Sequence, residues 1–251
     1  MLKLFLTGRR LWMTLVVLLG VALLCRLGIW QLDRHAQRAA RNQLINERMA
    51  LPPLPLDGSP VSPDELDYRW VQVRGVFDPQ AEVLLRNRSY NGATGYHILT
   101  PLRISGSDAA VLVDRGWVPL SATDPDVRRE FAPPAGEVTL EGVARRSQED
   151  MAGPQDPPTG PERPRLDAWF RVDIARIEQQ TGYPLLPVFI EQQPDPDAPP
   201  GPPFPAATTD LGLGSHLGYA FQWFSFALIL LVGYVVVILR HSRPAPQQSA
   251  V

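Results

Sequence analysis

Between Leu217 and Leu239 the chain runs LGYAFQWFSFALILLVGYVVVIL, 23 residues without a single charge, which at helical rise extends about 35 Å. A segment of that length and character spans a bilayer. Tyr219 and Trp223 near its start suit the interfacial aromatic belt, and Arg240, His241 and Arg243 follow its end. No lysine or arginine lies between Arg176 and Arg240, so the basic flank is C-terminal and the C-terminus is expected in the cytoplasm.

A second apolar run, LWMTLVVLLGVALLC from Leu11 to Cys25, is shorter. It reaches spanning length only by continuing past Arg26 through Leu27, Gly28, Ile29 and Trp30, with Arg26 snorkelling near the interface. Lys3, Arg9 and Arg10 precede it and favour a cytoplasmic N-terminus, an asymmetry that Arg34, Arg38 and Arg41 beyond it weaken. A cleaved signal peptide also begins with basic residues and an apolar run, but no small-x-small cleavage site follows here, and Leu24 before Cys25 is unlike a lipoprotein signal. The expected layout is a cytoplasmic N-terminus over 1–10, spans at 11–32 and 215–239, an extracytoplasmic domain over 33–214 and a cytoplasmic tail over 240–251.

Composition closes off several functions. The net charge is −2 and the arginines are scattered, so no basic field for nucleic acid exists. The single cysteine, Cys25, lies in the first apolar run. The domain therefore has neither an internal disulfide nor a paired-cysteine metal site of the copper-delivery kind.

Between the spans, short segments of strand character alternate with turn chemistry, as in an antiparallel sheet or barrel. The sequence predicts strands over 69–77, 81–86, 96–104, 110–118, 138–145 and 185–192, punctuated by Pro79, Asn91-Gly92 and Gly106. One helix is expected over 173–181, capped by Asp173, with Ile174 and Ile177 on one face and Gly182 at its end. Three proline-rich stretches, from Leu51, Gly153 and Pro194, read as loops or spacers, because proline continues neither helices nor central strands. The fold class is a membrane protein with two transmembrane α-helices flanking a β-rich, antiparallel sheet or barrel-like α+β domain.

Catalytic chemistry finds little support. His97 and Asp114 could pair, with Ser89 or Ser121 as nucleophile, yet the chain has no Gly-x-Ser-x-Gly elbow, no His-Glu-x-x-His pair and no phosphate-cradling glycine loop. A lone strand histidine is more simply a hydrogen-bonded sheet residue. Asp114 and Arg115 are read as a polar edge or turn, and Trp117 as packing.

His216 stands apart because it immediately precedes the second span, where a neutral imidazole nitrogen can coordinate a metal such as haem iron. Tyr219, Phe221, Trp223 and Phe224 follow within about two turns and offer an apolar wall for a porphyrin. Arg26 and Arg34, at a similar depth, offer guanidinium groups for haem propionates. An interfacial histidine beside an ordinary aromatic belt fits the same residues.

Five stretches in order tip the balance: GIWQLDR from Gly28, RWVQVRGVFDP from Arg69, RNRSYNGATGYHILTPL from Arg86, VLVDRGWVP from Val111 and HLGYAFQWFSFA from His216. With the two flanking spans, they make the chain resemble, over nearly its whole length, the Surfeit locus assembly factors of cytochrome c oxidase, called Shy in yeast. The resemblance implies a non-enzymatic membrane factor that binds haem a and helps deliver it to oxidase subunit I. The implied place is the bacterial inner membrane with the main domain periplasmic, consistent with the lack of a long Arg- and Ser-rich stretch before the first run. Haem A synthase and the lipid bilayer are further expected partners.

His216 stands where that family has the histidine proposed as haem ligand, and is thus the metal-ligand candidate. Gly28, Trp30, Gln31 and Arg34 match the family's first-span stretch, and Tyr219, Gln222 and Trp223 match its second. The expected cofactor-binding set is His216, Tyr219, Trp223, Trp30, Arg34 and Arg26. A cofactor-free scaffold that stabilises an oxidase assembly intermediate is the alternative, needing only the spans and a binding face.

Overall fold

The computed structural model describes residues 8–149, 153–161, 163–194, 200–206 and 211–241. Lys3, Arg243 and parts of the proline-rich stretches from Gly153 and Pro194 lie outside them. The order of elements is α1 (Arg9–Met49), β1 (Leu54–Leu56), α2 (Pro63–Leu66), β2 (Trp70–Phe77), β3 (Val83–Tyr90), β4 (Ala93–Ile104), β5 (Ala110–Pro119), α3 (Pro125–Arg128), β6 (Glu137–Arg146), β7 (Ala168–Trp169), α4 (Ile174–Glu178), β8 (Leu185–Gln192) and α5 (His216–His241). The chain divides into two units, one of residues 1–44 with 210–251 and the other of residues 45–209.

The first unit is an antiparallel helix pair. Both helices are long and apolar enough to cross a membrane. Side chains such as Leu19 and Phe221 are 73% and 76% exposed, which an apolar solvent would cover and water would not. The helices approach where α1 has small residues. A Cβ on the buried Gly28 would lie 2.7 Å from the Phe224 ring, and one on Gly20 would lie 3.1 Å from Leu230; missing side chains let helix backbones close up. Thr14 and Tyr234 share a hydroxyl hydrogen bond of 2.5 Å.

At 41 residues α1 is about 60 Å long, twice the hydrocarbon thickness of a bilayer. Neither glycine nor proline occurs from Ile29 to Met49, and the Ala, Arg, Gln and Leu of that stretch are good helix formers. The apolar pattern marks only the first half of this helix. Pro52 and Pro53 then bar its continuation.

The second unit is β-rich and centres on a five-stranded barrel, β2-β6-β8-β5-β4, closed by pairing of β4 back onto β2. β4 is long enough to serve two neighbours along one edge: its first part pairs with β3 and Leu102 to Ile104 pair with β2. Alternation drives the closure. In β2, Val71 and Val73 are buried while Gln72 and Arg74 are exposed. Inside lie Val71, Val73, Leu102, Val111, Val113, Leu140, Val188 and Ile190. On the outer face Leu85, Leu99, Leu112 and Phe189 form a second core with Trp169, Ile174 and Ile177, covered by α4 and β7.

All six expected strands form, displaced by at most four residues at any end. The helix over 173–181 is shorter, Ile174–Glu178, but Asp173 caps it by accepting from the Arg176 N–H, and Ile174 and Ile177 are buried as its pattern requires. The stretch from Leu51 is more than a spacer, since its Leu54–Leu56 segment forms edge strand β1 along β2, where proline's missing donor costs nothing. In the stretch from Pro194, Phe204 bridges Trp117, and its ring stacks on Tyr90 with centroids 4.3 Å apart.

Candidate functional site

The start of α5 and the polar continuation of α1 form the site within the first unit. His216 opens α5, and its Nδ1 lies 2.8 Å from Gln31 Oε1. An amide oxygen only accepts, so Nδ1 carries a hydrogen and Nε2 is the nitrogen whose lone pair the neutral ring offers to a metal. Trp30, Arg34, Gln37, Arg38, Arg41 and His216 line a cavity of about 420 Å³, within the range of about 300–1,000 Å³ of small-molecule sites. On α1 the lining positions recur at steps of three and four, so they share a face.

The electrostatics are one-sided. Three guanidinium groups line the cavity, and the first turn of α5 has no acidic residue to offset the positive end of its dipole. Arg34 lies over the Trp30 ring at 5.7 Å and donates to Gln37 Oε1 at 3.2 Å. The approach to α5 is held by α1 as well, with Asn42 Nδ2 donating to the Leu211 carbonyl at 2.5 Å. Gly214 takes a left-handed φ of +67°, and a Cβ there would lie 3.1 Å from Arg38 Nη1 and 3.5 Å from His216 Nε2. A side chain there would crowd Arg38 and His216.

Of the six expected cofactor residues, the structure gathers His216, Trp30 and Arg34 around this cavity. Arg26, Tyr219 and Trp223 do not line it. Arg26 is exposed, Tyr219 is 49% exposed, and Trp223 packs edge-on against Phe226. Hydropathy does not mark Arg38, Arg41 and Gln37 for this site; their helical spacing beyond residue 32 does. Among the described residues no cluster of three or more His, Cys, Asp or Glu could hold a metal, so iron here would rest on the single imidazole.

The second unit has its own polar centre, set by a β-bulge. β5 pairs with β4 through Asp114↔Leu99 and Gly116↔Ile98, so Arg115 is the extra residue. Gly116 takes a φ of +115°, and its N–H donates to Asp114 Oδ1 at 3.0 Å. Asp114 Oδ2 meets His97 Nδ1 at 2.8 Å, with side chains 5% and 11% exposed. Arg115 turns to the buried Glu82 and Thr100. The expectation of a polar edge or turn at Asp114 and Arg115 is therefore corrected: β5 lies between β4 and β8, and both groups are enclosed. His97 is hydrogen-bonded within the sheet, and Trp117 packs while its Nε1 donates to the Arg88 carbonyl at 3.2 Å. Ser89 lines the same cavity as His97 and Asp114, but no Ser89–His97 hydrogen bond is present among the described residues.

With this geometry in place, comparison with known proteins is decisive. The profile of the SURF1 family matches residues 18–228, a stretch that takes in most of α1, the whole barrel and the first half of α5. The chain belongs to the SURF1 family. It is 26% identical over 219 residues to a SURF1-like protein of Monosiga brevicollis, covering 83% of this chain and 81% of that one. Mouse Surfeit locus protein 1 is 28% identical over 212 residues, covering 79% of this chain and 66% of its own length. An uncharacterized SURF1-like protein of Mycobacterium tuberculosis is 28% identical over 233 residues, covering 88% and 81%. SURF1 proteins are assembly factors rather than a family of catalysts, and the family match reaches into both membrane-capable helices of this chain.

Proposed function

We propose that this SURF1-family chain is an assembly factor for cytochrome c oxidase that receives haem a at the His216 cavity and hands it to oxidase subunit I. The observation that carries the reading is the His216 ring, fixed through Nδ1 on Gln31 so that Nε2 is free beside three guanidinium groups. His216 would hold the iron. Arg34, Arg38 and Arg41 match the anionic propionates, and Trp30 offers an aromatic face for the macrocycle edge. Haem is cargo here, so firm but reversible binding is wanted; one imidazole at an open cavity suits release better than two ligands in a closed one. The β-rich unit then offers the face that meets the oxidase, and haem A synthase is the natural donor. We place the protein in a bacterial inner membrane, both termini inside and the barrel in the periplasm.

The test is the absorption spectrum of detergent-purified protein from cells that make haem a, beside His216→Ala. The expected result is a haem a spectrum in the wild type and at least a ten-fold lower haem content in the variant, with equal membrane insertion. Equal haem occupancy in the variant removes His216 as ligand. A colourless wild type replaces the chaperone with a cofactor-free scaffold.

A further inference from the structure

The His97–Asp114 pair in the barrel unit has no part in the haem reading. It lies at a separate cavity of about 280 Å³ on the outer face of the barrel. The cavity's two acids are already engaged. Asp114 accepts from Gly116 N–H and meets His97, while Glu191 accepts from Arg145 Nη1 with both oxygens, at 2.9 and 3.0 Å. Burial also pushes the Glu191 carboxyl above its ordinary range, Arg145 pulling it back only in part.

The donors on the other side are unengaged. Arg88 Nε is buried without a hydrogen-bond partner, a group whose desolvation is normally compensated. Among the described residues no bond is made by the rest of its guanidinium or by the Asn87 and Ser89 side chains. Asn87 adopts a left-handed φ of +58° at the β3 bulge that separates Leu85 from Arg88 in register, so a backbone irregularity sits where these groups line the cavity. The floor is apolar, made by the buried Leu85 and Phe189.

We propose that this cavity binds a small carboxylate carried on a short apolar stem, its oxygens on the Arg88 guanidinium and the Asn87 and Ser89 donors beside His97, and its stem on Leu85 and Phe189. A single negative charge fits one unpaired arginine, and the planar guanidinium fork matches a carboxylate. A phosphate dianion would meet the fields of Asp114 and Glu191 with only one fixed counter-charge. The volume accommodates roughly nine heavy atoms, taking about 30 Å³ each as for liquid water, so the ligand is a small molecule.

The chain has four histidines, so ring ¹⁵N–¹H spectra of histidine-labelled, detergent-solubilised protein resolve His97, assigned with His97→Gln. Butanoate titration is expected to shift the His97 ring nitrogens saturably and leave the His216 ring in place. Inorganic phosphate should bind at least ten-fold more weakly. Arg88→Gln, with its ligand-free histidine spectrum otherwise unchanged, should weaken butanoate at least ten-fold. No saturable shift of His97, phosphate binding as tight as butanoate, or full affinity in Arg88→Gln would each overturn the proposal. None of these readouts depends on haem, so the two proposals stand or fall separately.

Discussion

Removing the Arg115 guanidinium tests the charge pair enclosed by the barrel unit. Glu82 and Arg115 side chains are each 7% exposed, 3.3 Å apart. Thr100 Oγ1 donates to Glu82 Oε2 at 2.7 Å, and Arg115 Nη2 donates to the Phe131 carbonyl at 2.6 Å. Burial pushes the Glu82 carboxyl up and the Arg115 guanidinium down, so desolvation outweighs the attraction within the pair. In Arg115→Met the carboxyl has two courses. Remaining charged and unpaired costs about 3–5 kcal/mol. Taking up a proton costs about 1.36 kcal/mol for each pH unit above an ordinary carboxyl value of about 4.3, hence about 3.7 kcal/mol at pH 7. Protonation caps the loss near that figure. The variant's native state then holds a proton that the unfolded chain has released, so its stability falls as pH rises above about 4.3. By the same arithmetic the deficit shrinks to about 1 kcal/mol at pH 5. Urea unfolding in detergent, followed by tryptophan fluorescence, should show these two deficits against wild type. Adding Glu82→Gln should recover most of the loss at pH 7, because the polar but uncharged amide needs no counter-ion. A deficit unchanged between the two pH values, or a double variant no better than the single one, refutes the reasoning.

Two further outcomes follow from close contacts at glycines. In Gly142→Ala the new methyl would lie 2.4 Å from the Glu191 carbonyl oxygen and 2.5 Å from Ile190 Cγ2, so β6 and β8 must part, and thermal unfolding should report a loss of about 1–3 kcal/mol. In Gly214→Val the side chain enters beside Arg38 and His216 from a left-handed backbone position; haem content should fall several-fold while far-ultraviolet circular dichroism stays that of the wild type, and undiminished haem content would count against the cavity as the haem site.

Where a pattern repeats with the period of its element, the sequence discloses the structure. β2 reads WVQVRGVF and alternates buried and exposed along nearly its whole length, and Ile174 and Ile177 mark the buried face of α4. The misses have physical causes. Past Trp30 α1 loses its apolar stripe but keeps good helix formers, so hydropathy marks a membrane boundary rather than a helix end. The two-residue strand β7 pairs Ala168 and Trp169 with β3, a contact too short to leave a period. At the candidate site, His216, Trp30 and Arg34 were legible through position and resemblance. Arg38 and Arg41 needed the helix, and Gly214 needed coordinates, because a glycine between spans looks like any other turn residue.

The β5 bulge explains why the second cavity was only partly legible in the sequence, which offers His97, Asp114 and Ser89 as possible neighbours without the backbone that joins them. In an unbroken strand, residues an odd number apart face opposite sides of the sheet, so Asp114 and Trp117 would face apart. The extra residue at Arg115 resets the alternation: Asp114 pairs with Leu99 and Trp117 pairs with His97, and Leu99 and His97 share the outer face. Asp114 can then reach His97 diagonally, while Arg115 turns to Thr100 and Glu82 on the opposite side. Only a glycine suits the left-handed φ of Gly116, where a Cβ would also lie 2.1 Å from the Phe204 carbonyl oxygen. That carbonyl receives the Trp117 N–H at 2.5 Å, so the proline-rich segment that crosses β5 depends on the same glycine as the carboxylate that faces His97. Asp-Arg-Gly thus reads as a turn in one dimension and folds as the hinge that sends two buried charges to opposite faces of one strand.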